Sequence, residues 1–248
     1  MPGTTKEKST KKEKNLIEEM LEIGVHFGHG KSRKNPRMDP YVSTLRNGIH
    51  IIDLKSSVQK LEEAFNFIKE TVKNGGVILF IGTQPQAKYI TRETAEECEM
   101  PYVVERWIGG ILTNFKVIRK RVEYLIDLEK KKAAGELEKY TKKEQMLFGE
   151  EIKKLNRKFG GIKSLTKLPD AVFILSIKKS MSAVKEAQRK KIPIVGLADT
   201  DSDPTLADYP IPSNDEAVSV LKFMLAQIKE VIIKGKKPVS SSEESLEG

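Results

Sequence analysis

The sequence is short of the residues that hold together secreted, membrane or zinc-dependent proteins. A single cysteine, Cys98, among 248 residues cannot form an internal disulfide, which excludes a small stapled scaffold. No histidine stands near it in sequence to activate a thiolate, so it reads as a buried thiol in a reducing cytoplasm. Histidine is scarce too: three occur, and His26 and His29 have neither a cysteine nor a third histidine beside them to complete a zinc set. No apolar run approaches the roughly 18 residues that a membrane-spanning helix needs. The first fourteen residues contain no apolar block, so they do not form a secretory signal. They include Glu7 and Glu13 but no arginine, unlike an organelle transit peptide. Also missing are an H-E-x-x-H pair, a Ser/His/Asp order and a G-x-G-x-x-G run. Catalysis has no obvious carrier, and no cofactor or small-molecule substrate is expected.

What is present is positive charge. Lysine and arginine number 44 against 35 aspartate and glutamate, giving a net charge of +9 and a pI near 9.3. That balance favours a polyanionic partner.

Apolar periodicity places the elements. Leu16, Met20 and Ile23 draw one stripe on a short helix that Gly24 ends. Val25 to Met38 is rich in Gly, His and basic residues, with Pro36 and Pro40 nearby, and reads as an exposed loop. Ile49 to Leu54 is a short β run, and Asp53 caps a helix carrying Val58, Leu61, Phe65 and Ile68. Val77 to Ile81 is uninterrupted and β-branched, as expected of a strand covered on both faces. Thr83 and Pro85 open a helix through Cys98. Further strands are expected at Tyr102 to Val104, Ala171 to Leu175 and Ile194 to Leu197, and a last helix over Asp215 to Ile233. Strands alternating with helices specify a doubly wound parallel sheet.

The stretch 115–159 breaks that alternation. Phe115, Ile118, Val122 and Leu125 repeat at three, four and three, and Phe148, Ile152, Leu155 and Phe159 at four, three and four, with Gly135 and a Thr141/Glu144 capping box between. This predicts an inserted antiparallel coiled-coil hairpin. The expected organisation is a disordered basic arm (1–14), a sheet domain (15–114 and 160–234), the hairpin (115–159) and a disordered tail (235–248).

Three segments invite a ligand. Gly82 to Lys88 follows a strand, yet lacks the second glycine and the Lys-Ser/Thr pair of a phosphate loop, although helix-start amides there could meet an anion. Asp199, Asp201 and Asp203 follow the last buried strand at its carboxyl end, where such sheets bind ligands. Pro204 and Pro210 occupy the places where a calcium loop needs Gly and Glu, so these residues are weak metal candidates and read first as turn formers. The loop from His26 to Arg37 reads best as a phosphate-facing surface: Gly28 and Gly30 permit close approach, and His26, His29, Lys31, Arg33, Lys34 and Arg37 supply donors. Arg106 beside Trp107 is another candidate contact, while Trp107 itself fits packing and base stacking equally well. On the hairpin only the ends are expected to touch RNA, through Asn114, Lys116, Arg119 and Lys120 at one helix start and Lys142 and Lys143 at the other.

Taken together, several pieces resemble the bacterial-type second protein of the small ribosomal subunit. They are Gly24-Val25-His26-Phe27-Gly28-His29, Asn35-Pro36-Arg37-Met38, Arg46-Asn47-Gly48-Ile49-His50-Ile51-Ile52-Asp53-Leu54 and Arg106-Trp107-Ile108-Gly109-Gly110-Ile111-Leu112-Thr113-Asn114. Phe159-Gly160-Gly161-Ile162, Leu168-Pro169-Asp170-Ala171, Ile192-Pro193-Ile194 and Asp199-Thr200-Asp201-Ser202-Asp203-Pro204 follow in the same order. The resemblance covers Leu16 to about Ile233. It implies a flavodoxin-like α/β domain with an inserted coiled-coil hairpin, a structural role in translation, and a cytoplasmic place between head and body of the small subunit. Contact with ribosomal RNA, to which it adds Arg46, and with other small-subunit proteins follows, as does docking of the subunit's large first protein. The chain departs from that pattern after Gly82, where Gln84 and Pro85 replace a common basic pair. The rival readings are a nucleotide-dependent α/β enzyme and a free coiled-coil adaptor.

Overall fold

A computed structural model describes the backbone over residues 4–236 and side chains from Lys14 onward. The chain runs α1 (Thr4–Ile23), β1 (Phe27–Gly30), β2 (Val42–Arg46), β3 (Ile49–Ile52), α2 (Leu54–Lys73), β4 (Ile78–Ile81), α3 (Lys88–Glu97) and β5 (Tyr102–Val103). It continues through α4 (Phe115–Ala133), α5 (Lys142–Phe159), β6 (Ala171–Ile174), α6 (Met181–Lys190), β7 (Ile194–Ala198), β8 (Tyr209–Pro212) and α7 (Val218–Lys236).

The main sheet has five parallel strands in the order β5-β4-β6-β7-β8. Counted along the chain this is 2-1-3-4-5, the flavodoxin-like order. Its middle strands are short apolar runs because both faces are covered. Ile78, Phe80, Ala171 and Phe173 point to one face and pack with α1, α2, α3 and α7. Leu79, Ile81, Val172 and Ile174 point to the other and pack with α4, α5 and α6. Phe80 and Phe173, both fully buried, meet edge to face at 5.5 Å, a favoured aromatic geometry.

The two helices of the 115–159 segment bury the seams their spacing marks. Ile118, Val122, Leu125 and Leu128 of α4 and Ile152 and Phe159 of α5 are buried, with Phe115, Phe148 and Leu155 partly so. All belong to the same apolar cluster as the sheet face formed by Leu79 and Ile174. The capping box at Thr141 is formed: its side chain accepts from the Glu144 amide and the Glu144 carboxylate accepts from the Thr141 amide.

Several expectations are corrected. The expected β run at Ile49 is present, and it belongs to a second, antiparallel sheet of order β1-β3-β2 that sequence reading did not foresee. The expected loop of 25–38 contains β1, which pairs with β3 because its backbone amides find partners there. Helix α3 starts at Lys88, five residues after Thr83. A fifth parallel strand, β8, carries Pro210 and Pro212; as the outermost strand it tolerates residues that cannot donate. Helix α1 begins at Thr4, so most of the expected irregular arm is helical; residues 1–3 and the tail 237–248 lie outside the described residues.

Replacing Leu125, which is fully buried in α4, with Ala should destabilise the whole protein by about 2–5 kcal/mol. Urea unfolding would read this as a lower midpoint of one cooperative transition. An unchanged midpoint would show that α4 is not part of the core.

Candidate functional site

The carboxyl edge of the main sheet is where open α/β folds bind ligands, and here the chain's own basic loop occupies part of it. Next to the switch between β4 and β6 the backbone is tightly packed: a Cβ on Gly82 would lie 2.1 Å from the Thr91 hydroxyl and 2.9 Å from Leu175. After β7, Thr200 receives the loop that follows α1. Its hydroxyl accepts from the His29 amide at 2.7 Å and its carbonyl from the Asn35 amide at 2.8 Å. This seating requires glycine at position 28, where a Cβ would come within 2.4 Å of the Thr200 methyl. Gly28 therefore admits a strand of the protein itself, where a phosphate had been expected.

His29 turns inward to the aspartates. Its Nδ1 lies 3.1 Å from Asp199 and its Nε2 3.6 Å from Asp201, with Glu216 at 3.8 Å. The hydrogen bond to Asp199, helped by the negative charge of all three carboxylates and opposed by burial, raises the imidazole pKa to about 9, so His29 is a cation at neutral pH. Asp201 also receives Lys178 at 2.6 Å, and Asp203 binds Arg37 while capping the turn at Thr205. Each aspartate of the 199–203 cluster is thus engaged by a basic side chain. No three His, Cys, Asp or Glu side chains converge as a metal requires among the described residues. Asp215 is buried behind them, and burial pushes its pKa up to about 7.

The remaining expected contacts divide by freedom. Lys31, Arg33, Arg46, Arg106, Lys116, Lys120, Lys142 and Lys143 are exposed. Lys34 pairs with Asp39, and Arg37, though exposed, is held by Asp203 and by the Thr205 hydroxyl at 3.0 Å. Arg119 donates to the carbonyls of Lys163 and Leu165 and to Glu123. His26 packs on Phe27 at 4.0 Å, and burial lowers its pKa, so it is neutral at pH 7. Asn114 is exposed at the start of α4 and caps it only through its backbone. Lys142 and Lys143 begin α5 and so stand about 24 Å along the helix axis from its last turns.

One residue went unnoticed in the sequence. Glu186 of α6 is 7% exposed and gathers five donors. Trp107 Nε1 and the Gly110 amide donate to one carboxylate oxygen at 3.0 and 2.7 Å. The Leu112 and Thr113 amides and the Thr113 hydroxyl donate to the other at 3.0, 3.0 and 3.1 Å. Burial alone would raise its pKa, but these donors outweigh it and hold the carboxyl below its usual range. The carboxylate fixes the 107–113 loop, and Trp107 is buried with its N–H satisfied, which settles the choice between packing and stacking in favour of packing. Cys98 is likewise buried, its thiol pushed up to about 11, and inert at neutral pH.

Fold and site define a flavodoxin-like α/β protein whose buried charges fasten its own loops, with no constellation for bond making among the described residues. A family model described as Ribosomal protein S2 matches residues 20–235. Proteins named small ribosomal subunit protein uS2 are similar over most of the chain. That of Roseiflexus castenholzii is 49% identical over 217 residues, 88% of this chain and 82% of its own. That of Dehalococcoides mccartyi is 44% identical over 232 residues, 94% and 95% respectively, and that of a Roseiflexus species 46% identical over 229 residues, 92% and 87%. The chain belongs to the ribosomal protein S2 family, structural proteins of translation and not enzymes.

Two pH limbs follow. Because the folded pKa of Glu186 is lowered, its contribution is present above the unfolded carboxyl value and lost as pH falls through the folded one. Glu186→Gln should cost about 2–4 kcal/mol at pH 7 by leaving donors facing an amide, and the variant's melting temperature should vary less with pH below 5 than the wild type's. Because the pKa of His29 is raised, its contribution is complete below about 6.5 and lost as pH rises through about 9. Melting scans from pH 6 to 10 should show a decline that His29→Gln flattens; parallel curves would mean that the imidazolium does not fasten the loop.

Proposed function

We propose that the chain is a structural component of the small ribosomal subunit that binds ribosomal RNA between head and body and helps to dock the subunit's large first protein. The observation that carries the RNA reading is the loop 28–37. Its anchor groups, His29 and Arg37, are taken up by aspartates of the carboxyl edge, while Lys31 and Arg33 stay exposed in a chain of net charge +9. A preformed rim of free cations suits the phosphate backbone, since the side chains that must not move are already fixed. Arg46, Arg106, Lys116 and Lys120 extend the cationic surface. His29 contributes by fastening the loop.

Helices α4 and α5 act in this reading as the inserted coiled-coil hairpin, with Lys142 and Lys143 near its tip. What supports it is the pair of buried seams and the short connection between the helices. Docking of the first protein rests on the family resemblance.

Replacing Lys31 and Arg33 with Ala should leave the melting temperature unchanged and weaken binding to small-subunit RNA. A plot of log affinity against log salt should lose about 0.7–0.9 of slope for each phosphate contact removed. An unaltered slope would remove the loop from the RNA interface.

A further inference from the structure

A second cationic feature lies away from the carboxyl-edge loop. Between the 105–109 segment and the last turns of α5 is a cleft of about 550 Å³, lined by Arg106, Ile108, Gly109, Lys154, Arg157 and Lys158 among others. A neighbouring cleft of the same size shares Glu105, Arg157 and Lys158 with it, so the two adjoin. We propose that the first cleft takes an unpaired RNA nucleotide, its phosphate on Arg157 and Lys158 and its base over Ile108 and Gly109, with the second receiving the adjoining nucleotide. The assignment rests on the RNA-binding reading and adds a site that the loop 28–37 does not include.

Charge argues for a polyanion. Four cations and one carboxylate, Glu105, line the cleft; Glu105 is held by Lys88 at 2.9 Å, with Arg157 at 3.6 Å, and Lys154 lies 4.0 Å from Glu150 of its own helix. Arg106 and Lys158 are exposed and enter no ion pair among the described residues. Lys154, Arg157 and Lys158 stand at i, i+3 and i+4 and so share one face of α5. The opposite wall is rigid, because Glu186 holds Trp107 and Gly110 on either side of Ile108 and Gly109. A Cβ on Gly109 would meet no atom within 4 Å, so the backbone there lies open to a flat base. A volume of this size falls in the range of small-ligand sites. The floor of Ile108 and Gly109 offers a base an apolar contact, and the unpaired Arg106 and Lys158 beside it offer its phosphate a charge. A duplex presents its bases stacked inside and could use only the cations.

The test uses the full chain and a fluorescent single-stranded oligouridylate, titrated at several salt concentrations. Arg157→Ala with Lys158→Ala should bind about tenfold more weakly at moderate salt, with a log–log slope shallower by about 0.7, as the loss of one phosphate contact requires. Gly109→Ala, whose Cβ would meet no protein atom within 4 Å, should weaken binding while leaving the slope unchanged, since it narrows the floor and removes no charge. An excess of duplex RNA should compete poorly in the wild type. The proposal is overturned if both variants, folded by thermal melting, bind the oligouridylate as the wild type does while the Lys31 and Arg33 replacements lose affinity. In that outcome RNA binding survives and this cleft plays no part in it. Wild-type protein that binds no RNA at all would instead end the broader reading. Variants that keep full RNA affinity but lose a neighbouring protein from reconstituted subunits would overturn the proposal in favour of a protein partner.

Discussion

The structure depends first on a sheet that has no exposed face. Ile78, Leu79, Phe80 and Ile81 are all fully buried, and successive residues of a strand point in opposite directions, so each face must be covered by helices. Parallel neighbours require crossovers, and those crossovers are the helices that do the covering. The constraint reaches further than the alternating part of the chain. Helices α4 and α5 arise from a segment that interrupts the strand–helix alternation, yet their seams merge with the cluster of Leu79, Ile81, Val172 and Ile174. The two helices are thereby tied to the sheet as well as to each other.

Buried carboxylates then determine how the connecting segments are held. Glu186 gathers donors from a loop more than seventy residues earlier in the chain, and Asp199 and Asp201 receive an imidazolium from the loop following α1. A carboxylate with several donors is stable in a dry site, whereas the donors without it would be orphaned. The two arrangements have opposite pH signatures because one lowers the pKa of an acid and the other raises that of a base. Both hold backbone rigid beside exposed cations.

What could be read from the sequence was whatever lies within one local period. Strands β4, β6 and β7, the helices after Asp53 and Thr141, and the seams of α4 and α5 all declare themselves in windows of a few residues. The edge strand β8 did not, because Pro210 and Pro212 argue against a strand unless it is known to be outermost. Strand β1 was hidden by glycines whose use became visible only beside Thr200. His29 and Arg37 were read as donors to phosphate, and their residue type could not say that each would face an aspartate of the same chain. Nothing local marks Glu186, since its partners are assembled by folding.

Placement by folding also decides what the carboxyl edge of the main sheet has left to offer a ligand. Open α/β sheets gain their ligand crevice from loops that part at the carboxyl edge. In this chain Gly82 is closed over by Thr91 and Leu175, and the place after β7 is taken by Gly28, His29 and Asn35. The aspartates that might have gripped a cation grip basic side chains of the same polypeptide. An edge that elsewhere recognises a separate molecule has become an internal fastening, and its effect is to hold the lysine and arginine between those fastenings outward. In the RNA-binding role proposed above, selectivity for a folded polyanion would come from the fixed spacing of charges across a rigid body, which a pocket closing around a single ligand could not supply.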